Sequence, residues 1–189
     1  DEALDAIDLS AYALVVWIAG EESTFDSTFT ASEQRSLRNY ITNGGTLWVS
    51  GSEIFWDLDQ QGSADDKSFA KEVLGSSLAS DDAGTYFAQG EGLLAGITLD
   101  FDFASGAIYD VEWPDVLESE NTPIARYSTG GVAAIIHENG VTFGFPFETI
   151  IDLNERAQIA ERLLIYLLPE YEPPEITDTA DDTGFERKS

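Results

Sequence analysis

The sequence predicts an α/β domain whose first half builds a parallel sheet and whose second half is strand-rich and antiparallel. Three observations carry this. Residues 12–19, "YALVVWIA", are a continuous apolar run of strand length closed by Gly20, as expected of a strand covered on both faces. A capped helix and a second apolar run, "TLWVS", follow, and that order requires a crossover connection between parallel strands. From residue 84 to 146 the pattern changes to short strand candidates separated by glycine, proline and asparagine.

Along the chain, Thr30 with Glu33 three residues later predicts a capping box. Leu37, Tyr40 and Ile41 share a helical face, and Asn43-Gly44-Gly45 ends the helix. Ser63 caps a second short helix with Phe69, Val73 and Leu74 inward. The strand candidates are "TYFAQ", "GITLDFDF", "AIYDVEW", "PIARYS", "VAAIIHE" and "VTFGFPF", with Glu138-Asn139-Gly140 as a hairpin turn between the last two. A closing helix, "LNERAQIAERLLIYLL", places Ile159, Leu163 and Tyr166 at helical spacing before Pro169. Residues 1–168 therefore read as one domain, and the proline- and acid-containing residues 169–189 as a linker or tail.

Nine basic residues stand against 36 acidic ones, a formal charge of -27. Such a chain repels nucleic acid and anionic membrane surfaces. The acidity fits a solvated surface suited to salty or extracellular conditions, cation binding, or a basic partner. The chain has no cysteine, which removes disulfides, thiolate metal sites and a cysteine nucleophile. No apolar run reaches the roughly 20 residues of a membrane helix. From the absence of methionine, even at position 1, the expectation is a processed or excised piece of a longer chain.

"YALVVWIAGEES", "TASEQRSLRNYITNGGTLWVSGSEIFWDL", "DDAGTY" and "GFPFETI" together resemble the class I glutamine amidotransferase-like domains, in the branch found within large secreted bacterial proteins. The resemblance spans about residues 9–168. It implies a three-layer, flavodoxin-like α/β fold with a mainly parallel sheet, on the outside of a bacterial cell. It also implies a central strand that this chain lacks, supplied by an upstream segment or another chain, since open sheet edges invite aggregation.

In catalytic relatives a cysteine sits on a sharp strand-to-helix elbow and a His-Pro-Glu segment supplies base and acid. The matching turn here is Ser50-Gly51-Ser52-Glu53-Ile54, with Ser52 or Glu53 on the elbow, and the later segment is Phe145-Pro146-Phe147-Glu148, with proline at the base position. The one histidine, His137, lies in the preceding strand candidate. A hydroxyl without a neighbouring base is a poor nucleophile. The expectation is a non-catalytic module for assembly, docking or scaffolding, with a protein or glycan as partner.

Two rival readings attach to particular side chains. Glu53, Ser52, Glu22 and Glu148 follow strand ends, where ligands collect in α/β sheets, and two of these acids would serve a hydrolase acting on glycan or peptide. In "DLDQQGSADD", Asp57, Asp59, Gln61 and Asp65 take calcium-loop spacing with Gly62 sixth, although Ser68 stands where a bidentate glutamate belongs. The same residues also suit a simpler role, a helix cap made by Ser63 with Asp66. Phe55 and Trp56 are candidates for a sugar-binding platform.

Overall fold

The computed structural model describes residues 7–21 and 27–173. Leu14–Glu21 (β1), Ala31–Thr42 (α1) and Thr46–Ser52 (β2) form the expected unit: β1 pairs parallel to β2 from Leu14↔Thr46 to Glu21↔Ser52. Both arms of the Thr30–Glu33 capping box are present. Beyond β2 the chain enters a π-helical turn, Trp56–Gln61, and then Ala64–Glu72 (α2), where Ser63 and Asp66 complete a second capping box.

The remaining strands are Ser77–Ser80 (β3), Phe87–Gly90 (β4), Thr98–Asp100 (β5), Val116–Glu118 (β6), Thr122–Tyr127 (β7), Val132–His137 (β8) and Gly140–Phe143 (β9), followed by Leu153–Leu167 (α3). They join one nine-stranded sheet in the order β1-β2-β9-β8-β7-β4-β5, with β6 bridging β3 and β8 off that path. The β8–β9 hairpin closes at His137↔Gly140, where the turn motif predicts it.

The three-layer, mainly parallel, flavodoxin-like architecture is not what forms. Of the eight strand pairings among the described residues, only β1–β2 and β2–β9 are parallel. The reason lies in the connections. Between β3 and β9 the chain offers short turns and 3₁₀ segments instead of crossover helices, and short links permit only antiparallel neighbours. Only three α-helices are found among the described residues, and much of the sheet in its second half is covered by loops carrying Leu94, Ile97, Phe101 and Val111.

Two smaller corrections concern single elements. "AIYDVEW" is not a strand: burial alternates from Ala107 to Val111, but the segment finds no ladder partner among the described residues and runs as bends and irregular chain. In α3 the buried stripe is Ile159, Leu163 and Leu167, while Tyr166 is half exposed, because the helix closes on the sheet one residue later than the sequence pattern indicates.

Two cores result. Leu37 and Tyr40 of α1 and Phe69 and Val73 of α2 pack on one sheet face against Leu47, Val49 and Ile135. Ile159 and Leu163 of α3 pack on the other against Trp48, Val141 and Phe143. The halves meet along β2–β9, where Gly140, at φ +148°, brings backbone against backbone: a Cβ there would lie 1.8 Å from the Leu47 carbonyl oxygen. Gly140→Ala is expected to destabilise the fold by at least about 2 kcal/mol in urea unfolding, through steric overlap and a backbone conformation that alanine avoids.

Candidate functional site

The parallel strands β1, β2 and β9 end at one rim, the position where α/β sheets collect ligands. β2 runs directly into a sharp turn at Glu53, whose φ of +59° lies in the left-handed region, and Ile54 then begins the elbow helix. The turn is thus a sharp strand-to-helix elbow. Ser52 is fully buried and its Oγ has no hydrogen-bond partner.

Asp115, which no sequence motif marked, holds the elbow in place. It is fully buried, and its Oδ2 accepts the Phe55 N–H at 2.9 Å and also a bond from the Trp56 backbone. These are orphan amides at the start of the elbow helix, so the carboxyl caps it from a distant part of the chain. Burial pushes the Asp115 pKa well above the usual carboxylate range; the Phe55 and Trp56 amides oppose that rise, and the negative charges of Asp81 and Glu53 add to it. The Asp115 carbonyl in turn accepts from the buried Tyr127 hydroxyl at 2.9 Å, and its N–H donates to the Gly144 carbonyl at 2.7 Å.

On the α3 side of the rim, Glu148 Oε1 accepts the Tyr109 hydroxyl at 2.6 Å, and the Glu148 backbone carbonyl accepts from Arg156. Gly20 closes this corner: a Cβ there would lie 3.7 Å from both the Glu148 carboxylate and the Tyr109 hydroxyl. The Phe147 N–H donates to Ser50 Oγ at 3.4 Å, tying this segment to β2. Glu148, Ser52 and Glu53 therefore share one rim, while Glu22 lies outside the described residues. Tyr109, like Asp115, escaped the sequence reading, because both come from an irregular loop.

His137 sits at the other end of the sheet. It pairs with Gly140, which faces Leu47, and Ser52 lies five residues further along β2, roughly 16 Å away at strand rise. Its two nitrogens are committed. Thr142 Oγ1 donates to the Leu74 carbonyl at 2.9 Å, so it accepts the His137 Nε2–H at 3.1 Å, and Nδ1 accepts the Asn139 N–H at 3.3 Å. This fixes a neutral tautomer, and burial lowers the His137 pKa to about 4. No imidazole reaches the elbow.

The calcium-type loop is folded into helix. Asp57 Oδ2 accepts the Thr28 N–H and Asp59 Oδ2 accepts the Leu78 N–H, both at 2.9 Å, while Gln61 and Asp65 are exposed. Two carboxylates directed at separate backbone segments do not converge, and no group of three or more acidic, histidine or cysteine side chains suited to a metal occurs among the described residues. Phe55, a candidate for a sugar platform, is fully buried. No family model and no curated protein matches the chain.

Two pH-linked outcomes follow. Asp115 has its pKa raised on folding, so its contribution favours the fold below the ordinary Asp pKa and is lost as pH rises through the raised value. Asp115→Asn removes that component, and the stability of the variant relative to the parent, from urea curves between pH 4 and 8, should improve as pH rises. His137 has the opposite sign: stability falls as pH drops below its unfolded pKa of 6.5, levelling near 4. As the one histidine in the chain, its NMR signals should show a neutral ring until pH approaches 4.

Proposed function

We propose that this chain is a non-catalytic docking module, of amidotransferase-like ancestry, within a larger secreted or surface bacterial protein, and that it accepts a β-strand from an upstream segment or another chain. The observation that carries the proposal is the open edge of β1. Among the described residues β1 pairs only with β2, although Leu14 to Ala19 are all apolar and carry no lysine, proline or charge; one β-bulge, between Ile18 and Gly20, breaks the register near the end of the strand. Val16 and Ile18 are 46% and 53% exposed. Such a strand belongs in the interior of a sheet. The sheet runs without a gap from β1 to β5, so β1 is where an added strand has backbone donors and acceptors to meet.

The elbow supports the passive reading. Ser52 has neither a histidine beside it nor a solvent-facing hydroxyl, and Asp115 is occupied in capping. A second reading, a carboxylate-based hydrolase on glycan or peptide, draws on one feature: Glu53 is held at a left-handed φ, a strain that recurs at reactive positions.

Incubation with a fluorophosphonate, followed by intact mass, should leave the protein unmodified; an adduct on Ser52 overturns the passive role. Hydrolysis of any glycan or peptide in a substrate panel that is lost in both Glu53→Gln and Glu148→Gln would favour the second reading. For docking, hydrogen exchange should show β1 amides exchanging fast in the chain alone and protected at least tenfold once a designed strand is fused to it.

A further inference from the structure

A strand laid beside β1 satisfies the edge but leaves one face bare. Side chains stand perpendicular to a sheet, so Val16 and Ile18 project from the face and not from the edge. Val15, Trp17 and Ala19 project the other way, into the core beneath α1 and α2. Val16 is level with Trp48, which lies in the core under α3, so Val16 and Ile18 share the α3 side of the sheet.

α3 carries a matching bare flank. Glu155 accepts the Thr98 N–H, and Arg162 donates to the carbonyls of Leu93 and Ala95, so that side of the helix faces the β5 end of the sheet. At about 100° per residue the opposite side carries Leu153, Ala157, Ala160 and Leu164. These follow i, i+4, i+7, i+11 spacing, the ridge with which one helix packs along another. Leu153 is 67% exposed and Ala157 is exposed, while Ala160 and Leu164 are half-buried. The two alanines permit close approach.

An apolar helix ridge therefore forms the wall, and an apolar sheet face the floor, of a step beside β1. We propose that this step takes an amphipathic helix, packed along α3 over Val16 and Ile18 and belonging to the same polypeptide that supplies the β1-edge strand. A helix fits because the ridge repeats at helical spacing, and because a helix layer rides on a sheet at the height α3 already sets. A chain of charge -27 disfavours a second copy of itself and favours an occupant whose polar side carries lysine and arginine.

This inference rests on the docking reading, and the test separates the two. The chain has no cysteine, so Ile18→Cys gives a single labelling position on the full 189-residue chain. Three fusions are compared: a designed strand alone, the strand with a Leu/Lys amphipathic helix of about four turns, and the strand with the same helix carrying Glu for Lys. Exchange protection of the β1 amides in all three reports docking of the strand, and its absence in all three sinks the docking reading itself. With the strand docked, maleimide reactivity at the introduced thiol should fall at least tenfold with the Leu/Lys helix only. Equal protection by the strand alone, or none with the helix, overturns the proposed cover. Equal protection by the Glu version overturns its basic character, and protection in the unfused chain that deepens with concentration would assign the step to a second copy.

Discussion

The parallel pairing of β2 with β9 is the contact on which the rest of the molecule depends. The unit from β1 through α1 to β2 is local: it forms among neighbours in sequence and requires only a capped helix between two apolar runs. The second half combines local hairpins, β4–β5, β7–β8 and β8–β9, with the longer-range antiparallel ladders β3–β6 and β4–β7. β9 returns to β2 from almost 90 residues away, and its closest approach needs Gly140 against the Leu47 carbonyl. Asp115 reinforces the join, because a side chain from the second half caps the elbow helix that β2 launches. A single sheet thus couples two different folding patterns, and the elbow stands where they meet.

This arrangement explains which parts of the fold were legible in the sequence. Capping boxes at Thr30 and Ser63, the turn at Glu138-Asn139 and the apolar runs of β1 and β2 are written in spacing along the chain, and they appear as read. β3 and β6 were not legible: each is too short to show alternation, and they exist because they pair with one another. The overall sheet was misread for a related reason. A βαβ start implies a parallel sheet only if crossover helices continue, and after α2 they do not until α3.

The candidate site divides along the same line. Ser52, Glu53 and Glu148 could be placed at the rim from motif positions alone. Asp115 and Tyr109 could not, since neither burial of an acid after Trp113-Pro114 nor the reach of a tyrosine from an irregular loop leaves a mark in residue spacing. They also change what the rim means. A buried carboxyl that accepts two amides at a helix start does the work of a cap, and a glutamate bonded to a tyrosine hydroxyl is held in place rather than free to attack. Asp115 thus holds the turn in its geometry, while Ser52 keeps its hydroxyl buried and the one histidine stands at the other end of the sheet.

The acidic surface and the apolar edge of β1 belong to one physical argument. An edge strand of eight residues, paired among the described residues on one side only and carrying two half-exposed branched side chains, is a template for pairing with its own kind. Within a sheet the usual protection is a lysine, a proline or a bulge on the edge itself; β1 has neither lysine nor proline, and its one bulge falls near its end, between Ile18 and Gly20. Here the protection is global: at a formal charge of -27, two copies approaching edge to edge meet long-range repulsion before any backbone bond forms. That repulsion does not act on a neutral or basic segment, and it does not act on one tethered to the same chain, whose effective concentration is high. On the proposed docking role, charge of one sign weighs against a second copy at this edge and not against a neutral, basic or tethered strand.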